Sequence, residues 1–465
     1  MKYPAKAHAL KVKNHFLAEK KSEKKDGIAF FIASATYTNY PYCDQVAPLR
    51  QNRYFHYLSG IDQMAGAFIL FNVLNEKLTL FLPNIDDEDI MWSGLPLSPE
   101  DALKEYDVDE VLYAKDVTKT LESLKSSNFD IYTTDTDQYS KAAFAKLVIP
   151  KDTSFFYALD ESRLIKDEFE ISLMRHAAEI TDNCHMAVMS ALPIETNETH
   201  LHAEFVYHSL RQGSKFQSYD PICCSGPSCG TLHYVKNDDQ MDGKTSVLID
   251  AGAEWKCYAS DVTRCFPITG KFSKEHLDVY ETVRDMQAQA MKEIKPGVAW
   301  EDLHLLTHRV LIKHFLELGL FHNGTEDEIF NSKVSAWFYP HGLGHLLGMD
   351  THDVGGNANY EDENIMLRNL RLRRKLQAGM VITDEPGVYF SPFLLEHISE
   401  EQEKFVNREI VHKYMYIGGV RIEDDILVTA DGYENLTGIT SDPHEIEKIV
   451  QKGLSKGKGG FHVIA

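Results

Sequence analysis

Ile249-Asp250-Ala251-Gly252 and, a short way on, Ser260-Asp261-Val262-Thr263-Arg264 are two apolar runs that each carry an aspartate. The region 246–267 around them reads as two antiparallel strands. A turn centred on Trp255-Lys256 sets Asp250 directly opposite Asp261, and paired residues point to the same face of a sheet. Two carboxylates held that close repel each other unless a cation lies between them. Alone the pattern is weak, because a pair of solvated acids on a surface hairpin reads the same way.

Three further islands change the weighting. His341-Gly342-Leu343-Gly344-His345 continues through Gly348 to His352-Asp353-Val354-Gly355-Gly356, so three histidines interleave with glycines. His341 and His345 have i,i+4 spacing, but the glycines argue against a regular helix. No Glu follows His341, as the helical zinc motif requires. Glycines allow the close backbone approach that suits an active-site wall. Ile382-Thr383-Asp384-Glu385-Pro386-Gly387 and Gly418-Gly419-Val420-Arg421-Ile422-Glu423-Asp424-Asp425 each put an acid at the edge of an apolar segment, beside a glycine pair or a Pro-Gly turn. In strand geometry Arg421 and Glu423 share a face. Each island alone reads as a charged turn. Together, four carboxylates and one imidazole suit a pair of divalent cations held mostly by oxygen. Such donors favour Mn(II), with Zn(II) and Co(II) also compatible. Two cations roughly 3.5–4 Å apart can clamp a carbonyl during hydrolysis.

The rest of the chain frames this cluster. It has 465 residues, 48 Lys+Arg and 70 Asp+Glu, for a net charge of −22, and is 43% hydrophobic. That apolar content opposes wholesale disorder. The acidic balance opposes non-specific nucleic-acid binding, which needs cations against phosphates. No segment approaches the ~20 consecutive apolar residues of a membrane helix. The start lacks the apolar stretch of a secretory signal, and the seven cysteines contain no C-x-x-C pair. A cytoplasmic protein with reduced thiols is expected. Strand-like runs at 28–34, 67–71 and 78–82 alternate with helical patterns, so the first part is α/β. Phe169, Leu173, Ala177, Ile180, Cys184 and Val188 form the apolar stripe of a long helix. Ser273 is a suitable N-cap for another helix, stopped by Pro296-Gly297.

The islands resemble the metallopeptidases of the pita-bread fold, and among them the prolidase and aminopeptidase P branch, with fungal members closest. The likeness is strong over about 160–440. It extends more loosely through Arg53-Tyr54-Phe55-His56-Tyr57-Leu58-Ser59-Gly60 and Trp92-Ser93-Gly94-Leu95-Pro96-Leu97-Ser98. It implies an α/β (α+β) chain: an N-terminal creatinase/prolidase-like domain at 1–157, a pita-bread catalytic domain at 158–448 and a flexible tail at 449–465.

By the same resemblance the metal ligands are Asp250, Asp261, His345, Glu385 and Glu423, with Glu385 relaying the proton of the attacking water. His233 is implied to position substrate or steady the tetrahedral intermediate. His352 is aimed at the scissile carbonyl, and His341 lines the proline pocket. Arg421 orients acidic groups beside the metals, Tyr219 stands near them, and Arg371 meets the carboxylate of a C-terminal proline. The implied activity is hydrolysis between an N-terminal residue and a penultimate proline. A prolidase restricted to dipeptides is the alternative within the branch. A non-catalytic peptide-binding module is the alternative of another class, opposed by the intact ligands. Family members often pair, so a homodimer is expected, without nucleic-acid or membrane partners. Two departures stand out. Asp384 replaces a commonly apolar residue, and its carboxylate is expected in solvent, in a layer behind the metals, or raising metal affinity. The acidic stretch 357–369 differs from the family's usual loop at the substrate entrance.

Overall fold

The computed structural model describes residues 2–20 and 27–456, which divide into two compact units at Leu164/Ile165. In the first unit, β1 (Ile28–Ala33), β2 (Phe68–Asn72), β3 (Lys77–Leu82), β4 (Glu110–Tyr113), β5 (Asp130–Thr133) and β6 (Ile149–Pro150) form one mixed sheet in the order β4-β3-β2-β1-β5-β6. All six residues of β1 are buried, as an unbroken apolar run in a central strand requires. Helices Ala5–Lys20 and Thr153–Leu164 pack on each other. The boundary expected near residue 157 falls inside the second of these. The reason is visible at Tyr57, whose hydroxyl donates to the Ser162 carbonyl (2.7 Å) and ties that helix to the first unit.

The second unit opens with helix Glu168–Ala191. Asp167 caps it in a reciprocal capping box with Glu170, and Leu173, Ala177, Ile180, Cys184 and Val188 are all buried. Ser273 caps helix Lys274–Glu293 as expected, and helix Trp300–Glu317 follows. These helices surround small antiparallel sheets. One joins β8 (Ile222–Ser225), β9 (Ser246–Asp250) and β12 (Thr263–Pro267). A second joins β7 (Phe216–Gln217), β10 (Ala253–Trp255) and β11 (Tyr258–Ala259). A third joins β13 (Val381–Asp384), β16 (Asp424–Val428) and β17 (Tyr433–Asn435), and β14 (Gly387–Tyr389) pairs with β15 (Gly419–Arg421). Single bridges, Thr263 with Glu423 and Leu346 with Ile382, stitch the sheets together at the centre.

Two expectations need correction. The hairpin turns at Lys256-Cys257, both left-handed (φ 46° and 65°), rather than at Trp255-Lys256. Asp250 is therefore paired with Thr263, not Asp261. The displacement is two residues, an even number, so both aspartates still point to one face. The expected tail at 449–465 is also wrong in its first part. Helix Pro443–Lys456 runs through it with Ile446 and Val450 buried. Residues 457–465 lie outside the described residues. Among the described residues no helix is long and apolar enough to cross a membrane, none of the seven cysteines is in a disulfide, and six of them are buried.

Candidate metal centre

The four islands converge. The His341–His345 segment is not helical. It lies along β13, where the Thr383 N–H donates to the His345 carbonyl (2.9 Å) and the His345 N–H to Thr383 Oγ1 (3.0 Å). Gly344 permits this, because a Cβ there would lie 2.0 Å from the Thr383 carbonyl oxygen. His345 Nε2 then stands 3.4 Å from Asp261 Oδ2 and 3.3 Å from Glu385 Oε1. Donor atoms of Asp261, His345 and Glu423 lie within 4.8 Å of one another, and all three residues are buried. The Tyr219 hydroxyl is 2.5 Å from Asp250 Oδ1 and also contacts Asp261.

Each acid is held by a neighbour. The Asp425 carboxylate accepts the Asp261 N–H (3.0 Å) and the Ser260 hydroxyl (2.7 Å). Thr263 Oγ1 donates to Glu423 Oε2 (2.6 Å), and Thr383 Oγ1 donates to Glu385 Oε1 (3.2 Å). Arg421 links three of these groups. Its guanidinium donates to Asp250 Oδ2 (2.5 Å), Thr263 Oγ1 (3.2 Å) and the Tyr389 oxygen (2.7 Å). His341 Nδ1 faces the Gly342 carbonyl (2.8 Å), which can only accept, so the proton is on Nδ1. His341 Nε2 therefore accepts from the Tyr389 hydroxyl (2.8 Å).

The donor set fits divalent cations on two independent grounds. His345 Nδ1 lies 3.0 Å from the Leu346 carbonyl and must carry the ring proton, so the Nε2 lone pair faces two carboxylates. That contact is repulsive unless a cation sits between. The Tyr219 phenol has one proton and touches two aspartates, so it can donate to only one of them. Electrostatics agree. Burial, then Asp250 and Glu385, push the Asp261 carboxyl well up. Burial and Glu423 raise Glu385, and burial and Asp261 raise Glu423. Burial lowers the His345 pKa to about 4, which keeps its ring neutral as a ligand must be.

A cavity of about 750 Å³ opens above the acids, and every expected site residue borders it. His233 and His352 lie on its walls, and the His352 ring stands edge-on to His345 with centroids 4.5 Å apart. Arg371 is also in the wall, with Nη1 3.2 Å from the Tyr360 hydroxyl. Asp384 points elsewhere. It is fully buried, and neither oxygen has a hydrogen-bond partner among the described residues. Burial, then Asp424 and Glu385, push its carboxyl well above the usual range. Of the three places expected for it, solvent is ruled out and a position behind the acids is what the structure shows. Sequence reading missed Thr263, Thr383, Tyr389 and Asp425 as supports. Only Thr263, Thr383 and Asp425 carried a signal, since each stands inside one of the acidic islands.

Buried carboxylates, a neutral imidazole and an adjoining cavity define a metal-dependent hydrolase. The chain belongs to metallopeptidase family M24, whose model matches residues 172–430, and the model for the aminopeptidase P N-terminal domain matches residues 10–132. It is 58% identical to an uncharacterized peptidase of Saccharomyces cerevisiae over all of this chain and 87% of that protein. It is 42% identical to a probable Xaa-Pro aminopeptidase of Sordaria macrospora over 97% of both chains. The solved structure of Pseudomonas aeruginosa aminopeptidase PepP superposes with a TM-score of 0.80 at 29% identity, over 98% of this chain and 100% of that one. The two-domain pita-bread architecture expected from sequence is thus the architecture of the molecule, and the protein is a metallopeptidase that uses divalent cations.

Proposed function

We propose that this metallopeptidase releases the N-terminal residue from peptides whose second residue is proline, with Mn(II) as its working ion. The observation that carries this reading is the cavity itself. Its floor is the five-ligand cluster, and its walls carry His341 and His352 beside the apolar side chains of Ile222, Leu232 and Pro340. That mixture suits an imino-acid ring with no N–H to satisfy. Likeness to several fungal proteins called probable Xaa-Pro aminopeptidases supports it.

When bound, two divalent cations supply Lewis acidity toward the carbonyl and acidify a water. The chain's residues do the rest. Glu385 is the more open of the two acids that face His345, its side chain 16% exposed against 6% for Asp261, so it takes up the water proton and passes it on. His352 presents its ring to the carbonyl oxygen as charge develops there. Arg421 fixes Asp250, and the Tyr389 hydroxyl, donating to His341 Nε2, holds that ring in place.

A second reading, restriction to dipeptides, is favoured by Arg371. Its one hydrogen-bond partner among the described residues is a neutral phenol, so its charge is available to a terminal carboxylate. The test is hydrolysis of an Xaa-Pro dipeptide and an Xaa-Pro-Xaa tripeptide by the Mn(II)-loaded chain, with Asp261→Asn as control. Wild type is expected to cleave at Xaa-Pro, and the variant to fold but lose metal and activity. A fully active Asp261→Asn enzyme rejects the assignment.

A further inference from the structure

The segment 231–239 forms one wall of the cavity, yet it belongs to no helix and no strand. Leu232, His233 and Val235 border the cavity. Both ends of the segment are fastened. The Thr231 N–H donates to the Ser228 carbonyl (3.0 Å). At the other end the Asn237 side chain accepts the Cys223 N–H (2.8 Å) and donates to the Pro221 carbonyl (2.7 Å), and the Thr199 hydroxyl donates to the Asn237 carbonyl (2.7 Å). Over 232–236, among the described residues, one hydrogen bond ties the segment to the rest of the second unit: the Tyr234 hydroxyl donates to Glu198 Oε2 (2.8 Å). The Tyr234 ring packs against the core, while its two neighbours, His233 and Val235, face the cavity. His233 is exposed there, and among the described residues no hydrogen bond holds its ring.

The acceptor is itself held firmly. Glu198 is the first residue of helix Glu198–Arg211 and is fully buried. Its Oε1 accepts the Ser225 hydroxyl (2.6 Å), and its Oε2 also accepts the Asp239 N–H (3.1 Å). Lys244 Nζ stands 3.7 Å from Oε1 and donates to Ser225 Oγ (2.9 Å). One buried carboxylate thus joins the helix start, the end of β8 and the cavity wall, and a hydrogen bond to such an acceptor is of the stronger, charge-assisted kind. A wall without ladder bonds has to be ordered by its side chains, and an unanchored imidazole must be ordered afresh each time substrate binds. Displacing a group that meets substrate by about 1 Å can cost on the order of 100-fold in rate.

We propose that Tyr234 is a positioning residue for the reaction: bonded to Glu198, it fixes the segment so that His233 meets the substrate at a set place in the cavity. This rests on the Xaa-Pro reading above.

The test compares wild type, Tyr234→Phe, His233→Ala and the double variant, full-length and Mn(II)-loaded, on an Xaa-Pro-Xaa tripeptide. Tyr234→Phe keeps the packed ring and loses the hydroxyl. It is expected to lower kcat roughly tenfold with little change in KM, the scale of one hydrogen bond to a charged group. In the His233→Ala background it is expected to lower kcat no further, since the hydroxyl acts only through the imidazole. Mn(II) affinity, measured by chelator competition, is expected to match wild type. A second readout does not depend on turnover. In Zn(II)-loaded protein labelled with carbon-13 at histidine Cε1, the His233 resonance, identified by its loss in His233→Ala, is expected to shift or broaden in Tyr234→Phe. A Tyr234→Phe enzyme with wild-type kcat overturns the proposal. So does a loss that persists in full without His233, or one matched by a fall in Mn(II) affinity. If wild type cleaves no Xaa-Pro substrate, the Xaa-Pro reading has failed, and an unchanged His233 resonance in Tyr234→Phe then overturns the positioning role on its own.

Discussion

Lys166 and Asp353 form an ion pair at 2.8 Å with both side chains only 1% exposed. Asp353 directly follows His352, and its N–H donates to the Leu346 carbonyl (2.9 Å), so the pair braces the loop between two histidines that line the cavity, His345 and His352. At an effective dielectric of ~20 the Coulomb attraction at this distance is about 6 kcal/mol, and desolvation of the two ions offsets most of it. Removing one partner is different, because the surviving charge stays buried. Lys166→Met is therefore expected to cost about 3–5 kcal/mol, and Lys166→Met/Asp353→Leu much less. Urea unfolding followed by tryptophan fluorescence reads this out, since Trp255, Trp300 and Trp337 report on the second unit. With a slope of roughly 3 kcal/mol/M, the Lys166→Met midpoint falls by about 1–1.7 M. Gly348 supplies an internal check. A Cβ there would lie 2.2 Å from Asp353 Oδ2 and 3.0 Å from Lys166 Cε, so Gly348→Ala presses on the same pair. If Lys166→Met unfolds within ~0.5 kcal/mol of wild type, the ordinary range for surface substitutions, the brace is not there and this reasoning is wrong.

Two further outcomes follow from the same structure. Asp425→Asn replaces one of the two oxygens that accept the Asp261 N–H and the Ser260 hydroxyl with an NH2 donor, and is expected to weaken Mn(II) affinity about 10–100-fold, measured by chelator competition independently of turnover. His276 is buried with neither ring nitrogen hydrogen-bonded among the described residues, and burial pushes its pKa down to about 3. The unfolded chain takes up that proton near pH 6.5 and the folded chain does not, so this site removes stability as pH falls from about 6.5 toward 3. His276→Phe is expected to be at least as stable at pH 7 and to lose about 2 kcal/mol less by pH 5, where denaturant titrations at the two pH values would show equal losses if the histidine is not the cause.

What sequence conveyed about this site has a physical boundary. The cluster was legible because its acids and histidines stand in short islands, and the family resemblance singled out Asp250, Asp261, His345, Glu385 and Glu423 within them. The groups that aim them were not. Asp425 reaches the Asp261 N–H across 164 residues, Arg421 reaches Asp250 across 171, and Thr263 reaches Glu423 across 160. No local spacing encodes such contacts. They follow from sheets that meet edge to edge at the Thr263–Glu423 bridge. The hairpin turn was misplaced for a different reason. Its two left-handed positions hold Lys256 and Cys257 instead of the Asn-Gly or Asp-Gly that usually mark a tight turn.

The misplaced turn did not mislead the reading of the site, and Asp384 shows the same rule from the other side. Side chains alternate along a strand, so an even error in register returns every residue to its face and an odd one reverses them all. Asp250 and Asp261 stayed together because the error was two. Along β13 the alternation that turns Thr383 and Glu385 toward His345 must turn Asp384 away, between Asp424 and the helices behind. Asp384 and Asp424 are partners in the β13–β16 ladder, yet only Asp424 is paired, with Arg264 at 2.6 Å. Arg264 is already committed to the Thr440, Thr263, Glu423 and Ile439 carbonyls, so it has no donor left to satisfy a second acid. The period of the strand therefore accounts for Asp384 lying behind the cluster, and the hydrogen-bond inventory of one arginine explains why it stands there unpaired.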